Sequence, residues 1–121
     1  MKIRESAEDY LETILVLQQQ LGQVRSIDIV HKLEYSKPSV SVAMKRLREG
    51  GYIEMDGEGY ITLLPPGLEI AQRTYDHHRM LTRFLMELGV SEEVAAEDAC
   101  KIEHHLSEET FRCIRSAMEN K

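Results

Sequence analysis

The chain has 121 residues, 42% of them hydrophobic, with a formal net charge of −6 and two cysteines. That is one small domain, or one domain with an extension, with enough apolar residues for a core. No apolar run of about 18 residues marks a membrane span, the N-terminus lacks a secretion-type apolar stretch, and two cysteines make no disulfide framework, so the expected setting is the cytoplasm.

Apolar Ala7, Tyr10, Leu11, Ile14, Leu15, Leu17 and Leu21 recur at helical spacing, which predicts a first helix over 5–21 stopped by Gly22. Ser26 opens a short second helix carrying Ile27, Ile29, Val30 and Leu33. Tyr35-Ser36-Lys37-Pro38 breaks the pattern, and Pro38 suits the first turn of a third helix. That helix carries Val40, Val42, Met44 and Leu47 and ends at Gly50-Gly51. Two alternating runs within 52–63 flank a turn at Asp56-Gly57-Glu58-Gly59 and predict a β-hairpin. Leu64-Pro65-Pro66 separates it from a long helix reaching about Leu88. Ser91, followed by acids, caps a fifth helix running to about His105. Ser107 with Glu108 and Glu109 caps a sixth, with Phe111, Ile114 and Met118 along one face.

Helix, helix, turn, helix, hairpin is the order of a winged helix-turn-helix. The fold class expected is mainly α: such a winged unit over 1–64, with its small hairpin wing, then a helical dimerisation domain over 65–121. Charge supports the first half as a DNA reader. From Arg25 to Arg48 there are six basic and two acidic residues, which leaves the rest of the chain at −10. A basic segment on an acidic body is an electrostatic footprint for DNA. In such a fold the N-terminal residues of the third helix enter the major groove. Ser36, Lys37, Pro38, Ser39 and Ser41 are the candidate readers. Their hydroxyls can bond base edges or phosphates, and Pro38 can meet a thymine methyl. Lys45 and Arg46, with Arg25 at the start of the basic segment, are candidates for the DNA backbone. The acidic wing is expected to add little affinity.

A second constellation carries metal chemistry. Cys100, Glu103 and His104 lie at i, i+3 and i+4, one face of a helix, and offer sulfur, oxygen and nitrogen donors. Asp9 and Glu12 form an i, i+3 pair in the first helix. His77 and His78 are about 100° apart on the long helix, so one site suits only one of them. Taken singly, each group is more often surface or core than ligand.

Glu8-Asp9-Tyr10-Leu11-Glu12-Thr13-Ile14, Tyr35-Ser36-Lys37-Pro38-Ser39-Val40-Ser41, His78-Arg79-Met80-Leu81 and Cys100-Lys101-Ile102-Glu103-His104-His105-Leu106-Ser107 occur in this order. The sequence thereby resembles the diphtheria-toxin-repressor family of metal-activated repressors, including its manganese-transport-regulator branch, over essentially the whole chain. The resemblance implies that Asp9 and Glu12 match the helix-1 ligands of the manganese branch, and His78 the shared histidine of the long helix. Glu103 and His104 match the shared metal-binding pair, and Cys100 the thiol of the iron branch. Ser36, Pro38, Ser39 and Ser41 match the reading-helix pattern. Three features depart from the family. Thr82 and Ala96 stand where the iron branch places two ligands of its second site. Cys100 replaces the bridging glutamate of the manganese branch, a role Glu97 can take over. The likeness is to a short form without the SH3-like domain.

The expectation is therefore a repressor and not an enzyme, controlling metal-ion genes. It would be a homodimer on a palindromic operator, with no membrane partner, activated by iron(II) or manganese(II) and able to take cobalt(II) or zinc(II) in vitro. The dimer contact is expected on the apolar faces of helices five and six, at Val94, Ala95, Ile102, Phe111 and Ile114. The rival is a winged-helix redox sensor switched by Cys100 or Cys113.

Overall fold

A computed structural model describes residues 5–120 of the chain. The elements are α1 (Glu5–Leu21), α2 (Ser26–Leu33), α3 (Lys37–Glu49), β1 (Ile53–Met55), β2 (Ile61–Leu63), α4 (Pro65–Glu87), α5 (Glu92–Ile102) and α6 (Glu108–Glu119). The chain divides into two compact units, Met1–Arg73 and Thr74–Lys121.

In the first unit, α1 packs on α2, α3 and β2, and α2 on α3. Leu11, Ile14, Ile29, Val40, Met44 and Ile53 are almost wholly buried, which is where the helical and alternating periodicities place them. The turn before α3 has two local devices. Glu34 takes the left-handed conformation with φ 57° and donates its N–H to the Val30 carbonyl, closing α2. Ser36 then caps α3, with Pro38 in its first turn. The expected helix-turn-helix is present.

The hairpin pairs Ile53 with Leu63, Glu54 with Thr62 and Met55 with Ile61 in antiparallel register. Its turn is held by Asp56, whose carboxylate Oδ1 accepts from the N–H groups of Glu58 and Tyr60, both at 2.9 Å. Gly59, at φ 89°, supplies the positive dihedral this turn needs. An isolated bridge between Val24 and Ile61, with the Ile61 N–H 2.8 Å from the Val24 carbonyl, ties the wing to the loop after α1. Pro65 and Pro66 sit inside the first turn of α4 rather than before it, where a missing N–H is harmless. Close behind them, Gly67 lies against the backbone of Tyr52: a Cβ there would fall 2.1 Å from the Tyr52 carbonyl oxygen.

In the second unit, Ser91 and Ser107 cap α5 and α6 by accepting from the N–H groups of Val94 and Thr110. Acids fill both first turns, favourable against the helix dipole. The apolar faces of α5 and α6 also serve the core of their own unit. Leu81, Ala99 and Phe111 form a buried cluster that Met80, Ile102, Leu106 and Ile114 pack against, and Ala95 is fully buried. Of the five residues expected at the dimer contact, Ala95 and Phe111 are buried, Ile102 and Ile114 half-buried and Val94 exposed. Val94 shares that exposure with Met86 and Leu88, at 46%, 41% and 66% respectively.

Candidate metal centre and nucleic-acid interface

The second unit brings three of the expected metal ligands together. α4 presents His78, and the turn after α5 presents Glu103 and His104. His78 Nδ1 lies 3.5 Å from Glu103 Oε2, and His104 Nε2 lies 3.3 Å from Glu103 Oε1. The Glu103 side chain is 1% exposed and that of His104 3%. A carboxylate so far from water needs charged or strongly polar company, and two imidazoles supply it. Two nitrogens and a carboxylate converging in a buried place are a donor set that suits a divalent transition metal, so these residues fit such an ion.

The local backbone explains the convergence. α5 stops at Ile102, three residues short of the expected end. Glu103 is its C-cap, still in helical conformation, donating its N–H to the Ala99 carbonyl. The next bond is a tighter one, His105 N–H to the Ile102 carbonyl at 3.0 Å. The chain then extends into Ser107, at φ −74° and ψ 161°, to cap α6. His104 therefore lies in a turn, not on the α5 face.

His77 turns elsewhere, as its offset from His78 demands. Its ring stacks on Phe111 with centroids 3.7 Å apart and planes at 14°. Thr82, one turn after His78, donates its hydroxyl to the His78 carbonyl at 2.8 Å. The hydroxyl is committed to the backbone of α4 where the iron branch would need a carboxylate. Cys100 lies on α5 one turn before Glu103, exposed, and neither it nor Cys113 is in a disulfide.

In the first unit, Asp9 and Glu12 are half-buried one turn apart on α1. Tyr10, between them in sequence, sets its ring edge-on to Tyr35 at 5.9 Å and 73°. Burial, and then the neighbouring Tyr35, pushes the Tyr10 hydroxyl above its ordinary value. Tyr35 directly precedes the Ser36 cap, so one aromatic contact joins the carboxylate-bearing helix to the start of the reading helix.

Ser36, Lys37, Pro38, Ser39, Ser41, Lys45 and Arg46 are all exposed. Ser36 is committed to structure: its Oγ accepts from the Ser39 N–H at 3.2 Å and donates to the Ser39 hydroxyl at 2.8 Å. Ser39 still has its own proton to donate, and Ser41 is clear of the cap. Arg25 is exposed beside the wing, its guanidinium 4.3 Å over the Tyr60 ring and its N–H on Asp28 Oδ2 at 2.9 Å. The role of Asp56 in the wing, the Tyr60 seat under Arg25 and the exposure of Tyr35 were not read from sequence. An acid as the first residue of a glycine-containing turn is the one local signal that could have found Asp56.

Comparison with known proteins agrees with both halves. Residues 2–60 match the family model described as iron dependent repressor, N-terminal DNA binding domain. Residues 65–121 match iron dependent repressor, metal binding and dimerisation domain. A transcriptional regulator MntR of Escherichia coli O6:H1 is 39% identical over 112 residues, which cover 93% of this chain and 72% of that protein. An uncharacterised HTH-type transcriptional regulator of Methanocaldococcus jannaschii is 34% identical over 117 residues, covering 95% of this chain and 94% of that one. The structure of the manganese regulator SloR superposes with a TM-score of 0.83 at 25% identity. This chain is matched over its full length there and spans 56% of the SloR chain.

Proposed function

Because the chain belongs to the family of iron-dependent repressors and MntR regulators, we propose that it is a metal-activated repressor, not an enzyme. It reads a specific palindromic operator as a homodimer and controls genes of iron or manganese homeostasis. The observation that carries this reading is the buried Glu103 carboxylate between His78 and His104, in a chain whose other unit exposes a capped reading helix. The names of the relatives give no support to the redox alternative through Cys100 or Cys113.

The ligand set we propose is Asp9, Glu12, His78, Cys100, Glu103 and His104. A bound divalent ion supplies a concentrated positive charge that these carboxylates and imidazoles share. Because the donors come from both ends of the chain, metal binding and DNA binding are linked, with a coupling of ~1–3 kcal/mol. On the DNA side, Ser39, Ser41 and Pro38 face base edges. Lys37, Lys45, Arg46 and Arg25 hold phosphates, and Ser36 contributes mainly by fixing the helix start. The second copy docks within residues 65–121, the part matched by the dimerisation model, where Met86, Leu88 and Val94 are exposed apolar residues. Removing metal is expected to release the operator. In a gel-shift titration with the chain's own promoter, chelator should reduce affinity about tenfold or more, and manganese(II) or iron(II) should restore it. Unchanged affinity with metal demonstrably absent would sink the sensor reading.

Cys100 sets the metal preference. Thiolate is softer than carboxylate and steepens the rise in affinity from manganese(II) through iron(II) to cobalt(II). Zinc(II) binds too but favours four ligands. The cobalt(II)-loaded protein should show a sulfur-to-cobalt charge-transfer band in the near ultraviolet, and Cys100→Ser should abolish it. Absence of the band at full occupancy under reducing conditions would move Glu97 into the place of Cys100.

A further inference from the structure

The outward face of α3 contains an apolar residue that the hydroxyl and cation pattern does not account for. Val40, Met44 and Leu47 turn inward, at 5% exposure or less. Val42 lies on the opposite side and is 51% exposed. At about 100° per residue it falls on the same line as Pro38, four residues earlier, with Ser41 and Lys45 beside it. Pro38, Ser41 and Lys45 are exposed as well. Valine is a poor choice for an exposed helix interior, where its branched side chain loses rotamer freedom. A single exposed valine needs no explanation by itself. This one stands at the middle of the face that enters the groove, next to a second apolar surface and among cations.

We propose that Val42 is a specificity-determining residue. With Pro38 it forms an apolar strip that packs on the C5-methyl group of a thymine in each operator half-site. The inference rests on the DNA-reading assignment above and deepens it. The chemistry is that of the major groove. Thymine alone among the four bases presents a methyl there, and apolar side chains are its natural partners. Lys45 and Arg46 then hold the phosphates while Val42 discriminates among bases.

The test begins with the metal-loaded full chain selecting duplexes from a random library. The enriched half-site should contain a thymine whose replacement by deoxyuridine, which removes only the methyl, weakens wild-type binding. Loss of one buried methyl is worth about fourfold per half-site, so roughly fifteenfold on a palindrome carrying both. Val42→Ala should show a comparable loss on the thymine duplex and a smaller penalty for deoxyuridine than wild type, the remainder being the share of Pro38. Alanine is the better helix former, so a weakened α3 cannot account for the result, and Val42→Thr, which keeps one methyl, should fall between. If no sequence enriches, the DNA-reading assignment itself fails. If duplexes enrich but every single deoxyuridine is tolerated, or Val42→Ala discriminates thymine from deoxyuridine as strongly as wild type does, the proposal for Val42 is overturned while DNA reading stands. Loss of the dimer in Val42→Ala would likewise overturn it, placing the residue in a protein contact.

Discussion

Glu103→Ala is expected to weaken manganese(II) binding more than about a hundredfold and to leave operator binding insensitive to metal. Glu103 is 1% exposed and within 3.5 Å of imidazole nitrogens on both sides. Outer partners of metal ligands alone contribute about 10–100-fold in affinity, and a ligating carboxylate should lie at or beyond that range. The fold should survive, because the bond that ends α5 uses the backbone N–H of Glu103 and not its side chain. Titration calorimetry on Glu103→Ala and the isosteric Glu103→Gln, with circular dichroism as the folding check, measures this. Wild-type affinity in Glu103→Gln would remove Glu103 from the ligand set.

Gly67→Ala is expected to cost about 3 kcal/mol or more of stability. The added Cβ would sit 2.1 Å from the Tyr52 carbonyl oxygen and 3.0 Å from its carbon. That oxygen is not at the end of a side chain that can swing away. It already accepts from the Leu64 N–H at 3.0 Å. The start of α4 must move off the entry to the hairpin. Overpacking of this kind usually costs about 1–3 kcal/mol, and a backbone neighbour puts it at the high end. For a domain this small, a loss of that size lowers Tm by about 10 °C or more. Gly57→Ala, at a position with open space around it, is the control and should change stability by less than about 0.5 kcal/mol. Equal melting of the two variants would contradict the close approach.

Signals local to a few residues were legible in the sequence. Ser36 with Pro38, Ser91 with its two glutamates and Ser107 with its own all open helices where expected, because a cap is chemistry between residues three apart. The hairpin followed from alternation and a glycine-containing turn. What could not be placed from sequence depended on partners distant in the chain. Ile102, Phe111 and Ile114 form an apolar stripe that is genuine, but periodicity cannot say whether it meets α4 of the same chain or another copy. It meets the cluster around Leu81. Gly67 has no local mark, since its reason is Tyr52, in the residue stretch before the hairpin. The candidate centre was read from an argument only partly right. His78, Glu103 and His104 do converge, yet His104 reaches the group through a turn, because the cap of α6 ends α5 early.

The bridge between Val24 and Ile61 has a kinetic meaning. The three helices before it are stabilised mainly by contacts close in sequence, which form early. This hydrogen-bonded pairing closes a long loop in the first unit, and loop closure is an entropy that must be met before the contact can reward it. On the ribosome, α1 to α3 can associate as they emerge, but the unit is sealed only when β2 has left the exit tunnel. The order of synthesis then completes the reader before any residue of α5 or α6 is available to pair with a second copy, so assembly draws on a half that is already folded.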